Sequence, residues 1–271
     1  MRMNKMIVSI ILFSILMLML PAAAGASVTP VLLETETITE GSIDITYTQS
    51  TMDRLKVKIT NLDTLTYRYY DLSPMKTESF PLQLGNGNYQ IAVLKQIEGT
   101  RYNYIDKSEI RVQLEDENSV FLQSVQNIEW TLDMESIQLA QALTIDATSD
   151  REKAEAIYQY MINNFSYDYQ KAATVQSGYR TDIESTFVEQ KGICYDYAAL
   201  TASMLRSVGV PTKVAKGYTS YMEGYHAWNE IYLESEGWVT VDTTVDAHYR
   251  AQGDAYSMIK SADTYMTQSE L

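Results

Sequence analysis

"GICYDYAALTASMLRSVGVP", residues 192–211, holds the single cysteine of this 271-residue chain. Ala198, Thr201, Met204, Leu205 and Val208 recur at helical spacing, which predicts a buried helix that opens at or just before Cys194. Gly209 suits the left-handed position that follows a helix, and Pro211 blocks continuation. Gly192 would let the chain bend into the first turn. Free cysteine is among the most buried residue types and often only fills space. At a helix start, however, unpaired N–H groups and the helix dipole favour a thiolate, the form that attacks carbonyl carbon.

A nucleophilic thiol also needs a base, and a base needs a third group to orient it. The chain has two histidines. His226 opens "HAWNEIYLE", which has the pattern of a strand, whereas His248 falls in "DAHYR", expected to be a loop. A strand holds a base more rigidly, so His226 is the better candidate. "GWVTVDTT", residues 237–244, reads as the next strand and carries Asp242. If Tyr232 pairs with Trp238 across "ESEG", His226 and Asp242 fall on the same face, about 7–8 Å apart at the backbone. A one-residue slip in register would put them on opposite faces, so the pairing demands a turn of odd length or a bulge. Taken singly, His226 could be a satisfied core residue and Asp242 a turn former.

Upstream, "DMESIQLAQAL" and "SDREKAEAIYQYMINNF" read as helices, the second opened by a Ser149–Glu152 capping box. Ala154, Ile157, Tyr158, Met161 and Ile162 form its apolar face and are expected to be core. The polar, Tyr-rich stretch of residues 166–185 reads as a surface loop. Before residue 130 the period is two: "SIDITYT", "RLKVKIT", "YQIAVLK", "EIRVQL" and "SVFLQSV" read as strands of an antiparallel β-sandwich. The fold class is thus α+β, with an accessory β-sandwich over residues 27–130 and a chemistry-bearing domain over 131–271.

Residues 1–26 read as a signal peptide. Arg2 and Lys5 precede an uncharged apolar run, then Pro21 and "AAAGAS", with cleavage fitting after Ala24 or Ala26. The alternative is an uncleaved membrane anchor, for which the run is short. No later segment reads as a span, so the expected location is secreted or cell-surface. Cleavage would take Lys plus Arg from 21 to 19 against 35 Asp plus Glu, a net charge of about −16. So acidic a surface repels phosphate backbones and argues against nucleic acid as a partner. One cysteine permits no internal disulfide, and two histidines without a cysteine cluster argue against structural zinc. No phosphate-binding glycine loop is present. No cofactor and no metal is expected.

"GICYDYAALTASMLRSVGVPTKVAKGY", "HAWNEIYL" and "GWVTVDTT" together closely resemble the catalytic core of the transglutaminase-like superfamily, and "DREKAEAIYQYMINNFSYDY" resembles the segment that precedes that core. The resemblance covers about residues 133–250. It implies a papain-related fold, a nucleophile helix packed on an antiparallel sheet, with Cys194 as thiol, His226 as imidazole and Asp242 as acid. "VDTT" departs from the more usual Asp-Pro but keeps the acid. The implied chemistry is acyl transfer through a thioester: water as acceptor gives hydrolysis of a protein or cell-wall peptide, and an amine gives cross-linking of Gln. The Cys194 N–H is an oxyanion donor candidate, with Tyr167 as a second one. The calcium sites of animal transglutaminases have no recognisable counterpart. A reading from another class remains beside these, a non-catalytic extracellular binding module on the same fold.

Overall fold

A computed structural model describes residues 29–271. The expected signal peptide lies outside the described residues. The first half is built of β1 (Val31–Glu34), β2 (Ser42–Tyr47), β3 (Leu55–Asn61), β4 (Tyr67–Leu72), β5 (Thr77–Pro81), β6 (Gly87–Glu98) and β7 (Arg101–Val112). They form two antiparallel sheets, ordered β1-β2-β5 and β4-β3-β6-β7. Along β3, Leu55, Val57 and Ile59 point inward while Lys56, Lys58 and Thr60 alternate with them, the period-two burial of a strand with one face covered. Ile43, Ile45 and Phe80 from the first sheet meet Val57, Ile91 and Val93 from the second in one core.

Two sequence expectations fail here for local reasons. "SVFLQSV" is not a strand: Glu117–Leu122 is a 3₁₀ helix, because Asp116 caps it by accepting from Asn118 N at 2.9 Å. The capping turn overrides the strand preference of Val120 and Phe121. Conversely, β1, β4 and β5 escape the pattern, since "YRYYDL" of β4 buries only Tyr70 and Leu72.

The second half carries α1 (Glu135–Leu143), α2 (Asp150–Asn164), β8 (Ser166–Tyr167), α3 (Tyr169–Thr174), α4 (Ile183–Glu189), β9 (Lys191–Gly192) and α5 (Cys194–Ser207). The chain then runs through β10 (Thr212–Thr219), β11 (Met222–Leu233), β12 (Gly237–Val241), α6 (Thr243–Gln252), β13 (Ile259–Lys260) and β14 (Tyr265–Glu270). Their main sheet is ordered β13-β12-β11-β10-β14 and is antiparallel throughout. The central helix α5 packs against β11, α1 and α2. The expected face of α2 is buried as a set. Ser149 caps that helix by accepting from Glu152 N, and Glu152 reaches back to Thr148 N. Gly209 adopts φ +83° after α5, the left-handed turn that glycine permits.

Residues 166–185 are not one loop. Asp168 and Asp182 each cap a short helix, and β8 pairs in parallel with β9. Nor does β12 run on through "VDTT": it stops at Val241, and "DAHYR", expected as a loop, lies within α6. Among the described residues no helix is long and apolar enough to cross a membrane.

Candidate active site

Cys194 is the first residue of α5 and is partly exposed. Gly192 does not act as the bend proposed from sequence. A Cβ there would lie 2.6 Å from the Cβ of Asp196, so glycine is required by close packing. Asp196 is fully buried beneath the start of the helix. Its carboxylate accepts from Ile193 N (2.9 Å), Lys171 Nζ (2.7 Å), Tyr179 OH (2.6 Å) and Thr181 Oγ1 (2.6 Å). Four donors from three segments hold the first turn of α5, and with it the thiol, in one place.

The β11–β12 hairpin has the register expected from sequence. Tyr232 is opposite Trp238 and Leu233 opposite Gly237, which gives the turn its odd parity. His226 and Asp242 therefore share a face, and the imidazole Nε2 lies 2.7 Å from Asp242 Oδ2. With Nε2 turned to the carboxylate, Nδ1 is the nitrogen left for Cys194, whose thiol is near enough to favour charge on the ring. Burial works against charge on His226, but the Asp242 carboxylate and then Cys194 outweigh it, pushing the imidazole from its usual 6.5 up to about 10.

Asp242 is better fixed than a strand position could make it. It is fully buried and is the N-cap of α6, with Oδ1 accepting from Thr244 N (3.1 Å) and Val245 N (3.0 Å). Oδ2 accepts from Tyr265 OH at 2.9 Å in addition to His226. Helix N–H groups thus fill one oxygen and orient the other toward the imidazole. Tyr265 comes from β14, beyond the stretch in which the other groups occur, and nothing in its local sequence marks it. Asp196 did carry a signal, a charge in the first turn of a helix that holds no other charge until Arg206.

The Tyr167 hydroxyl, on β8 beside Gly192, lies near the start of α5 and the Cys194 thiol. Burial, and then the neighbouring thiol, push its phenol up to about 12, so it keeps its proton at neutral pH and can donate. A cleft of about 390 Å³ opens on this side, walled by Tyr167, Tyr169, Tyr197, Tyr221 and Tyr249 and also lined by His248. Thr244 and Val245, whose N–H groups hold Asp242, line it as well. His248 is thus apart from the Cys194–His226–Asp242 cluster. Among the described residues no group of three or more His, Cys, Asp or Glu is arranged to hold a metal ion.

Residues 137–243 match the model of the transglutaminase-like superfamily. The uncharacterized protein YebA of Bacillus subtilis is 24% identical over 190 residues, 64% of this chain and 25% of that protein. The kyphoscoliosis peptidase of Mus musculus is 34% identical over 119 residues, 40% of this chain and 17% of that protein. The chain thus spans a quarter or less of the length of these curated relatives. Among solved structures, the periplasmic domain of TgpA from Pseudomonas aeruginosa aligns with 82% of this chain and 97% of that one, at 14% identity and a TM-score of 0.38. Residues 137–243 are thus a transglutaminase-like domain within this chain.

Proposed function

We propose that the chain is a secreted thiol enzyme that hydrolyses amide bonds of protein or cell-wall peptides, with Cys194, His226 and Asp242 as its catalytic triad. The carrying observation is the imidazole held at 2.7 Å by a buried, helix-capping carboxylate, with its other nitrogen free for the neighbouring Cys194. Cys194 Sγ attacks the amide carbon and forms a C–S bond, and the carbonyl oxygen becomes an oxyanion. The Cys194 N–H and the Tyr167 hydroxyl are the donors in reach of it. His226 passes its proton to the leaving nitrogen, the C–N bond breaks, and a thioester remains. His226 then takes a proton from water, whose oxygen attacks the thioester and frees the acid. Asp242 keeps the ring in one tautomer and stabilises the imidazolium. The kinship of residues 137–243 with cysteine proteases and transglutaminases supports amide chemistry. The first half, residues 27–130, is proposed as an accessory domain.

Cross-linking of Gln to amines is the second reading. The aromatic walls beside Tyr167 favour it, since a water-poor cleft lets an amine compete for the thioester.

The test is the pH–rate profile of Cys194 alkylation by iodoacetamide, in the parent chain and in His226→Ala. A fast reaction at pH 6 that His226→Ala abolishes is expected. A slow reaction that rises only near about pH 8.5 and ignores His226 would leave a binding module on an enzyme's fold. Peptide amides with and without an amine acceptor then separate hydrolysis from cross-linking.

A further inference from the structure

Lys216 stands on β10 opposite Ala227, the residue after His226, and opposite Ser269 of β14. Its ammonium lies 3.8 Å from the centroid of the Tyr195 ring, which follows Cys194 in the first turn of α5. Among the described residues it forms no ion pair, whereas nearby Lys213 is shared by Glu230 (3.6 Å) and Glu270 (3.3 Å). The titratable groups beside Lys216 are Cys194 and Tyr195 of α5, while His226 of β11 is opposite Gly217, one register position away. Glu270 of β14 is turned to Lys213 instead.

A half-buried cation with no anion of its own is costly, and a carboxylate brought by a ligand would relieve that cost. Burial lowers the Lys216 ammonium to about 8, against the opposing pull of Cys194, so it is charged at neutral pH and loses its charge above that value. Lys216 is not among the residues that line the aromatic cleft.

We propose that Lys216 is a specificity residue that receives a carboxylate of the acyl donor, so that the site selects amides flanked by an acidic side chain or a chain-terminal carboxylate. This rests on Cys194 being the nucleophile. It requires no change in the acyl-transfer chemistry, since Lys216 neither gives nor takes a proton.

The experiment compares alkylation of Cys194 by iodoacetate and by iodoacetamide. In both the sulfur displaces iodide and forms one S–C bond, and only the first reagent carries a carboxylate. The iodoacetate-to-iodoacetamide rate ratio is expected to fall by about five- to tenfold in Lys216→Met and to be kept in Lys216→Arg. In the parent chain the ratio is expected to fade as the pH rises through about 8. A ratio unchanged in Lys216→Met, including an equal loss with both reagents, overturns the proposal, because Lys216 then acts on the thiol alone. Iodoacetamide by itself reports activation of the thiol, so a failed triad is visible separately from a failed carboxylate site. Protection of Cys194 by N-acetylaspartamide or by N-acetylglycine tells the acidic side chain from the terminal carboxylate. Protection by neither, or protection that survives Lys216→Met, also overturns it.

Discussion

His226 carries a charge that its burial opposes. It is 2% exposed, yet the carboxylate beside it raises its proton affinity rather than lowering it. The sign of the pH dependence follows. The folded value, about 10, lies above the unfolded 6.5, so the stabilisation from protonated His226 is complete below about pH 6.5 and is lost as the pH rises through about 10. The stability gap between the parent chain and His226→Gln, read by urea unfolding, is expected to shrink by about 2–4 kcal/mol across that window. A constant gap would mean that the imidazole is neutral in the folded protein. Asp242→Asn keeps a hydrogen-bonding oxygen for the α6 cap but removes the charge that stabilises the imidazolium. Turnover of peptide amides is expected to drop by about two to four orders of magnitude, with a far smaller change in melting temperature. Gly192→Ala acts at the other end of the site, because its Cβ would meet Asp196 at 2.6 Å. It is expected to cost about 1–3 kcal/mol and to slow alkylation of Cys194 by shifting the first turn of α5.

At the scale of elements, α6 sets the acid in place. Its N-cap is Asp242, and one turn further on the fully buried Asp246 pairs with Lys260 of β13 and accepts from Tyr158 of α2 at 2.8 Å. Asp246→Ala leaves the Lys260 ammonium, itself 8% exposed, without a counter-charge. A loss of about 3–5 kcal/mol is expected by chemical unfolding, and Asp246→Leu combined with Lys260→Met should recover most of it. This device explains which parts of the site could be read from sequence. Cys194, His226 and their helix and strand carry strong periodic patterns, and the parity of the β11–β12 hairpin follows from where Tyr232 meets Trp238. The "VDTT" stretch looks like continued strand because Val, Thr and Asp share the alternation, although Asp242 caps a helix. A capping aspartate and a strand-end aspartate look alike until the following turn is known. Tyr265 and Lys216 act through contacts between segments far apart in the chain, which no local period encodes. In the first half, β4 was hidden because four of its six residues face away from the core.

At the scale of the whole molecule, the two halves meet through polar groups as well as packed rings. Phe121 stands edge-on to Trp238 of β12 with ring centroids 5.2 Å apart, and buried Arg206 of α5 donates to Gln123 O at 2.8 Å. Arg180 reaches from the segment before α4 to Glu78 on β5 at 2.5 Å and to Asp71 O at 3.0 Å. Glu78 is 3% exposed, so this ion pair is largely withdrawn from water. Arg180 is flanked by Tyr179 and Thr181, two of the donors that hold Asp196 under the thiol. The first half is therefore tied to the nucleophile through this short segment as well as through Arg206 of α5. Arg180→Ala leaves Glu78 with only its Ser73 partners, and a loss of about 2 kcal/mol is expected. Because the same segment positions Asp196, the variant should also alkylate more slowly at Cys194 well below its melting temperature. Arg180→Lys, which keeps the charge but not the second hydrogen bond to Asp71 O, should recover part of the stability. If Arg180→Ala lowers the melting temperature and leaves the alkylation rate untouched, the first half supports the fold without influencing the site, and its contribution to function must then lie in binding a target of its own.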